Sequence, residues 1–402
     1  MHNDPTPRGV TRVTKPNYPT RRLAASVLAA LLAATTLAAC ADDSPMQPKA
    51  QVPDGGVKAV ALGINVLPAG QQFPDKIAFV TGSAWGTVPK VQVYDKWGNQ
   101  MARFQAFNDA WDQSGPGADV ALGDVNGDGW PDILAGEGPT PNSTYGSRFG
   151  VWDGRTGVYI GGFSTSTNHR GGLRVGAGDI DGDGRDEIFT CFGPSNQPTR
   201  RDVFRLNATN IGYVKSSMTL GFVTGTNTFE GCRVAGGDVT GDKKDEIVVI
   251  FDGPQNTLLV EDPSFKYGTF IRKKPFGGTY TGYASLAVAD MNGDGKAEVL
   301  LGRLAAMDTK PPVRIFDGAA LIDNSYLPVP TIVYPMTNST SATGIHIGAR
   351  DIDGDGVPEV LAKPTTAYSA SQYVALMGPT FTLPWLNRLE QPGNIISGGP
   401  IH

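Results

Sequence analysis

The stretch DIDGDGRDE at residues 179–187 places acids at its first, third, fifth and ninth positions and glycine at its fourth and sixth. The pattern recurs as DVNGDGWPD at 124–132, DVTGDKKDE at 238–246, DMNGDGKAE at 290–298 and DIDGDGVPE at 351–359. Successive copies start 55, 59, 52 and 61 residues apart. Self-similarity at such a period is the signature of a solenoid, a propeller or an array.

The loop chemistry points to calcium. Hard oxygen ligands at alternate positions of a tight turn suit a hard divalent cation. In the 179 copy, Asp179, Asp181, Asp183 and Glu187 offer side chains and Arg185 its carbonyl. The equivalent sets are Asp124, Asn126, Asp128, Trp130 and Asp132; Asp238, Thr240, Asp242, Lys244 and Glu246; Asp290, Asn292, Asp294, Lys296 and Glu298; and Asp351, Asp353, Asp355, Val357 and Glu359. Up to five ions are expected. Without a cation, such clustered carboxylates repel one another. The loop at 238–246 is expected to bind most weakly. It has Thr240 at position three, Lys243 in place of glycine, and Lys244 beside it.

Three rival readings compete with calcium. An EF-hand needs a bidentate Glu at position twelve, where these copies have Ala135, Thr190, Val249, Leu301 and Ala362. Plain Asp/Gly turns without metal would not call for the same spacing five times. Paired catalytic acids do work in glycosidases, but a catalytic pair would not recur in every repeat.

Around each loop run short β-branched and aromatic segments bounded by Gly, Pro, Asn and Asp, the mark of strands. LRVGAGD at 173–179 precedes a loop and EIFTC at 187–191 follows it. A third strand comes next, as in FGVWDG at 149–154, TLLVED at 257–262 and VRIFDG at 313–318. A fourth follows, as in VYIGGF at 158–163. Four strands per unit of this length make a propeller blade.

These units resemble FG-GAP or VCBS repeats, the family that builds the integrin alpha propeller and many bacterial surface proteins. The resemblance covers roughly 57–402. It implies an all-β propeller of four-stranded blades, with calcium loops between the first and second strands. PDKIAFVTG at 74–82 matches PDILAGEG at 131–138, which adds a unit lacking its acidic loop. Six blades are expected, with seven as the alternative. VKAVALG at 57–63 and NIISGGP at 394–400 compete for the inner strand of the first blade. Integrins bind ligand with help from a second chain, so the family names no ligand here.

Residues 1–39 read as a signal peptide: Arg21 and Arg22 precede an apolar run that ends at Cys40. LAAC at 37–40 resembles the bacterial lipobox, which implies lipidation of Cys40. Residues 40–56 read as the lipidated cysteine and a flexible tether. The expected location is the bacterial cell envelope, lipid-anchored, at the outer membrane, on its periplasmic side or on the cell surface. A net charge of −5 and the lack of a basic stripe argue against nucleic acid. A monomer is expected.

Cys191 ends a second strand and Cys232 begins the next first strand, so both belong to the end away from the acidic loops. An exported location permits a disulfide; two buried thiols are the alternative. The same end collects Trp85, Trp111, Tyr145, His169, Arg170, Arg200, Arg201, Tyr280, Tyr283 and Tyr368. Aromatic and Arg residues on loops are what binding surfaces use, although ordinary rim packing explains any one of them. No G-x-S-x-G, H-E-x-x-H or P-loop occurs. The function expected is a binding, adhesion or protein-interaction module for a protein or glycan, with no catalytic residues. The alternative is a propeller enzyme, a glycan hydrolase or lyase, needing two acids at that end or in a central channel.

Overall fold

The computed structural model describes residues 58–59, 65–107, 115–141, 146–165, 169–195, 199–206, 211–215, 230–254, 256–263, 269–305, 308–323, 327–335, 343–365, 372–377, 385–389 and 395–397. All of them lie in the unit Ala50–His402.

The strands follow the sequence pattern closely. After the two-residue β1 (Lys58–Ala59) come β2 (Phe79–Gly82), β3 (Lys90–Tyr94) and β4 (Gln100–Gln105), an antiparallel meander. The second sheet holds β5 (Ala118–Gly123), β6 (Asp132–Glu137), β7 (Arg148–Trp152) and β8 (Tyr159–Ser164). The third holds β9 (Leu173–Gly178), β10 (Glu187–Phe192), β11 (Arg201–Leu206) and β12 (Ile211–Lys215). The fourth holds β13 (Cys232–Gly237), β14 (Glu246–Phe251), β15 (Leu258–Glu261) and β16 (Thr269–Lys273). The fifth holds β17 (Ala284–Ala289), β18 (Glu298–Arg303), β19 (Val313–Phe316) and β20 (Thr331–Val333), with a short helix α1 (Gly318–Asp323) before its last strand. The sixth holds β21 (Ile345–Arg350), β22 (Glu359–Pro364), β23 (Gln372–Met377) and β24 (Trp385–Leu389). Finally β25 (Ile395–Ser397) pairs with β2, setting Val80 against Ser397 and Gly82 against Ile395.

Both chain-end candidates for the first sheet thus find places. The segment at 394–400 supplies its missing strand. The segment at 57–63 contributes β1 to the outer edge of the second sheet, with Lys58 opposite Ser164.

Strands such as β5, β6 and β18 are buried on both faces, because each sheet is sandwiched between two others. The first strands β5, β9, β13, β17 and β21 pack against one another in order, and β25 contacts both β21 and β5. Among the described residues, six apolar clusters lie between successive sheets. The largest join the first to the second sheet around Leu122 and Trp152 and the fourth to the fifth around Val260 and Phe316. The smallest joins the sixth to the first through Leu361, Ile352, Phe79 and Tyr94. Close approach of first strands demands small residues: a Cβ on Gly236 would lie 2.4 Å from the Ala177 carbonyl oxygen.

Candidate functional site: five acidic loops

Each acidic loop joins the first and second strands of its sheet, and all five wrap their backbone in the same way. The first aspartate accepts hydrogen bonds from the N–H groups that follow it. Asp124 takes those of Gly127 at 2.8 Å, Asp128 at 3.1 Å and Gly129 at 2.7 Å. Asp179, Asp238, Asp290 and Asp351 repeat the contacts with the fourth and sixth residues of their loops. The ninth-position acid takes the N–H of the second residue: Val125 to Asp132, Ile180 to Glu187, Val239 to Glu246, Met291 to Glu298 and Ile352 to Glu359, all within 2.7–3.1 Å. The fifth-position Asp128, Asp183, Asp242, Asp294 and Asp355 accept from the N–H of Trp130, Arg185, Lys244, Lys296 and Val357.

The fourth and sixth residues carry positive φ, as glycine permits. Lys243 is the exception, with φ 69° in the sixth position of the 238 loop.

Negative charge is held close together. In two loops, carboxylate oxygens of Asp179, Asp181 and Glu187, and of Asp351, Asp353 and Asp355, all lie within 4.8 Å of one another. Burial pushes Glu187, Glu246, Glu298 and Glu359 up to about 7 and Asp132 to about 8, and neighbouring loop carboxylates push the same way.

The residue after the third strand adds to two of the sites. Asp153, after β7, raises Asp132 and accepts from Asn126 Nδ2 at 3.2 Å. Asp317, after β19, raises Glu298. The sequence pattern had flagged these aspartates only as strand ends. In the third sheet Arg205 stands there instead. Its Nε lies 2.7 Å from Glu187 Oε1, and Nη2 contacts both Asp181 and Glu187. The donor sets at 124, 290 and 351 suit a hard divalent cation. That at 238 suits it less, with Lys243 and Lys244 alongside. At 179 the guanidinium of Arg205 sits on the same carboxylates that would hold an ion.

A family model for the FG-GAP-like repeat matches residues 124–190 and 238–301. Those two stretches are similar to FG-GAP-like repeats. Solved structures similar to it include AofleA of Arthrobotrys oligospora, 10% identical over 82% of this chain and 92% of that one, with a TM-score of 0.46. An Agrocybe aegerita lectin, described as recognising non-reducing terminal N-acetylglucosamine, is 17% identical over 84% and 81%, with a TM-score of 0.39. The Photorhabdus luminescens Tc holotoxin pore is 13% identical over 83% of this chain and 15% of that one, with a TM-score of 0.37. No curated protein matches the chain.

The loops of successive sheets are tied together. Asp124 donates its N–H to Asp186 Oδ2 at 2.8 Å and accepts the Asp186 N–H on its own carbonyl at 2.9 Å. Asp179 and Asp245 repeat the exchange at 3.0 and 2.8 Å. Between the loops at 124 and 351 lies a cavity of about 480 Å³, and between those at 238, 290 and 351 one of about 330 Å³. Arg350 lines both, and its Nη1 lacks a partner. No repeat pattern marks it, since the equivalent residues are Gly123, Gly178, Gly237 and Ala289.

At the end away from the acidic loops, some of the expected surface residues are exposed and others buried. Trp85 is 76% exposed and Tyr283 41% exposed, as a contact surface requires. His169 is not on the surface. It is buried, stacks on Phe192 at 3.9 Å, and holds Ser195 Oγ and the Gly172 carbonyl through its two ring nitrogens. Burial lowers it to about 4, so it stays neutral. Tyr280 is buried too, donating to the Tyr283 carbonyl at 2.6 Å beneath Arg303. Arg201 is buried against Glu261 and Arg200 pairs with Asp202, whereas Arg170 is exposed. Trp111, Tyr145, Tyr368 and Cys40 lie outside the described residues. Cys191 and Cys232 form a disulfide that joins β10 to β13, with Cα atoms 5.7 Å apart.

Two acids, Asp119 and Asp252, are buried at this end. Asp119 accepts the Val175 N–H at 2.9 Å and lies 3.4 Å from Arg233 Nη1. Asp252 is pushed up to about 6 by burial, while Arg233 and Arg174 hold it down.

Proposed function

We propose that this protein is a calcium-braced, six-bladed β-propeller that serves as a binding module in the bacterial cell envelope, anchored through a lipid on Cys40. The observation that carries the calcium reading is the common wrap of the five loops. In each, backbone N–H groups fix the first, fifth and ninth acids in one arrangement, and nothing but repulsion among the carboxylates would otherwise follow from it. Six mutually packed sheets, with β25 completing the first, support the blade count. Extracellular calcium sites often have dissociation constants of about 0.1–1 mM. At roughly 1 mM calcium each filled site then stabilises the fold by about 0.4–1.4 kcal/mol.

Among the described residues, Trp85 and Tyr283 are exposed aromatics at the end away from the loops, and they support a protein or glycan contact there. The enzyme alternative finds less support, because Asp119 and Asp252 face arginines. The deciding experiment is thermal unfolding of the protein in millimolar calcium and in chelator. A large drop in chelator, reversed by calcium and not by magnesium, is expected; an unchanged melt sinks the calcium reading. A Cys40→Ser variant recovered in the soluble fraction would separate lipid anchoring from other envelope association.

A further inference from the structure

We propose that Arg205 is the resident cation of the loop at 179–187, so that this repeat is braced by a guanidinium in place of a calcium ion. The inference rests on the calcium reading above.

Register places the residues compared. Ile133, Ile188, Ile247 and Val299, each just after a ninth-position acid, pair with Trp152, Phe204, Glu261 and Phe316. The next residues are Asp153, Arg205, Asp262 and Asp317. The third-position partners are Asn126, Asp181, Thr240 and Asn292. Contact between Asn126 and Asp153 shows that the two positions are neighbours. Where the third position is neutral, the strand-end residue is acidic. Where it is Asp181, the strand-end residue is Arg205. In the last repeat Asp353 goes with Gly378, which lies outside the described residues. Two acids never share this pair, so the alternate loop positions and the strand-end position together bring four carboxylates in every repeat. Among the described residues at this strand position, the third sheet alone sets a positive charge against the loop acids.

The guanidinium does more than sit nearby. It bonds Glu187 and Asp181, and Nη1 approaches Asp183 to 3.9 Å. Those are three of the four side chains the ion would use. A planar fork with five donors matches several carboxylates at once and never loses its charge. A calcium ion entering here would have to displace it and meet its repulsion. The loop richest in acids is thereby the one closed to metal.

Native mass spectrometry of the full protein with calcium chloride tests this. Expected is that Asp183→Asn leaves the number of bound ions unchanged, while Asp355→Asn lowers it by one. Arg205→Gly, which copies the Asp353 and glycine pairing, should gain one ion; it should also melt lower than wild type in chelator and recover with calcium. Loss of an ion on Asp183→Asn, or no gain in a folded Arg205→Gly protein, would overturn the inference while leaving the calcium reading intact. No ion on any form would overturn both.

Discussion

Asp186 and Asp124, sixty-two residues apart in sequence, exchange two hydrogen bonds: the Asp186 carboxylate accepts the Asp124 N–H, and the Asp124 carbonyl accepts the Asp186 N–H. The exchange couples one acidic loop to the next. Asp186→Ala removes the carboxylate and leaves the Asp124 N–H without its acceptor. A buried orphan donor costs about 1–3 kcal/mol. Urea unfolding should show that loss, and a midpoint equal to wild type would mean the contact contributes nothing.

The ninth-position acids predict an unusual pH dependence in chelator. Glu187, Glu246, Glu298 and Glu359 sit at about 7 in the fold, above the ordinary 4.5, and Asp132 at about 8. Between those values the folded state binds more protons than the unfolded one, so stability falls as pH rises. The melting temperature without calcium should therefore decline from about pH 5 to pH 8. Calcium should flatten the slope. A melt that rises over this window in chelator would contradict the assignment.

Lys243 holds a left-handed backbone that glycine adopts freely. Lys243→Gly should raise stability by up to about 1 kcal/mol, the relief of backbone strain exceeding the entropy glycine loses. It also takes a positive charge from beside the loop. Differential scanning calorimetry is the check, and a lower melting temperature would show that the lysine is held by contacts outweighing its strain.

The Cys191–Cys232 bond spans 41 residues of sequence and crosses between two sheets. Constraining the unfolded chain over such a span contributes about 3–4 kcal/mol. The double Cys→Ser variant should lose that much in guanidinium unfolding and should respond no further to reductant. Indifference of the wild-type protein to reductant under denaturing titration would remove the bond from the stability account.

The acidic loops and most strands were legible because their chemistry is local: glycine at fixed offsets, apolar runs between them, one period. What stayed hidden depends on neighbours. Asp186 and Asp245 belong to no pattern, since the other copies have Pro131, Ala297 and Pro358 at that position. Their partners lie in another sheet. Nothing in the sequence around Arg205 marks it, and only its side-chain contacts with Asp181 and Glu187 tie it to the loop. His169 is a candidate for the binding surface in sequence, yet its ring packs on Phe192 and is buried. The competition between 57–63 and 394–400 was undecidable from either segment alone, because the open edges of β2 and β8 choose between them.

That choice has a bearing on how the protein is made. β2 is among the first strands to be synthesised, but its partner β25 comes from the far end of the sequence. Throughout translation and any transport of the chain, one side of β2 presents unpaired N–H and C=O groups, the kind of edge that recruits other chains. Five sheets can assemble in order as they emerge, while the first waits for the last. Ribosome stalling or proteolytic clipping near β25 would therefore leave an adhesive edge on an otherwise finished molecule, and such fragments should be the species that chaperones and proteases meet most often.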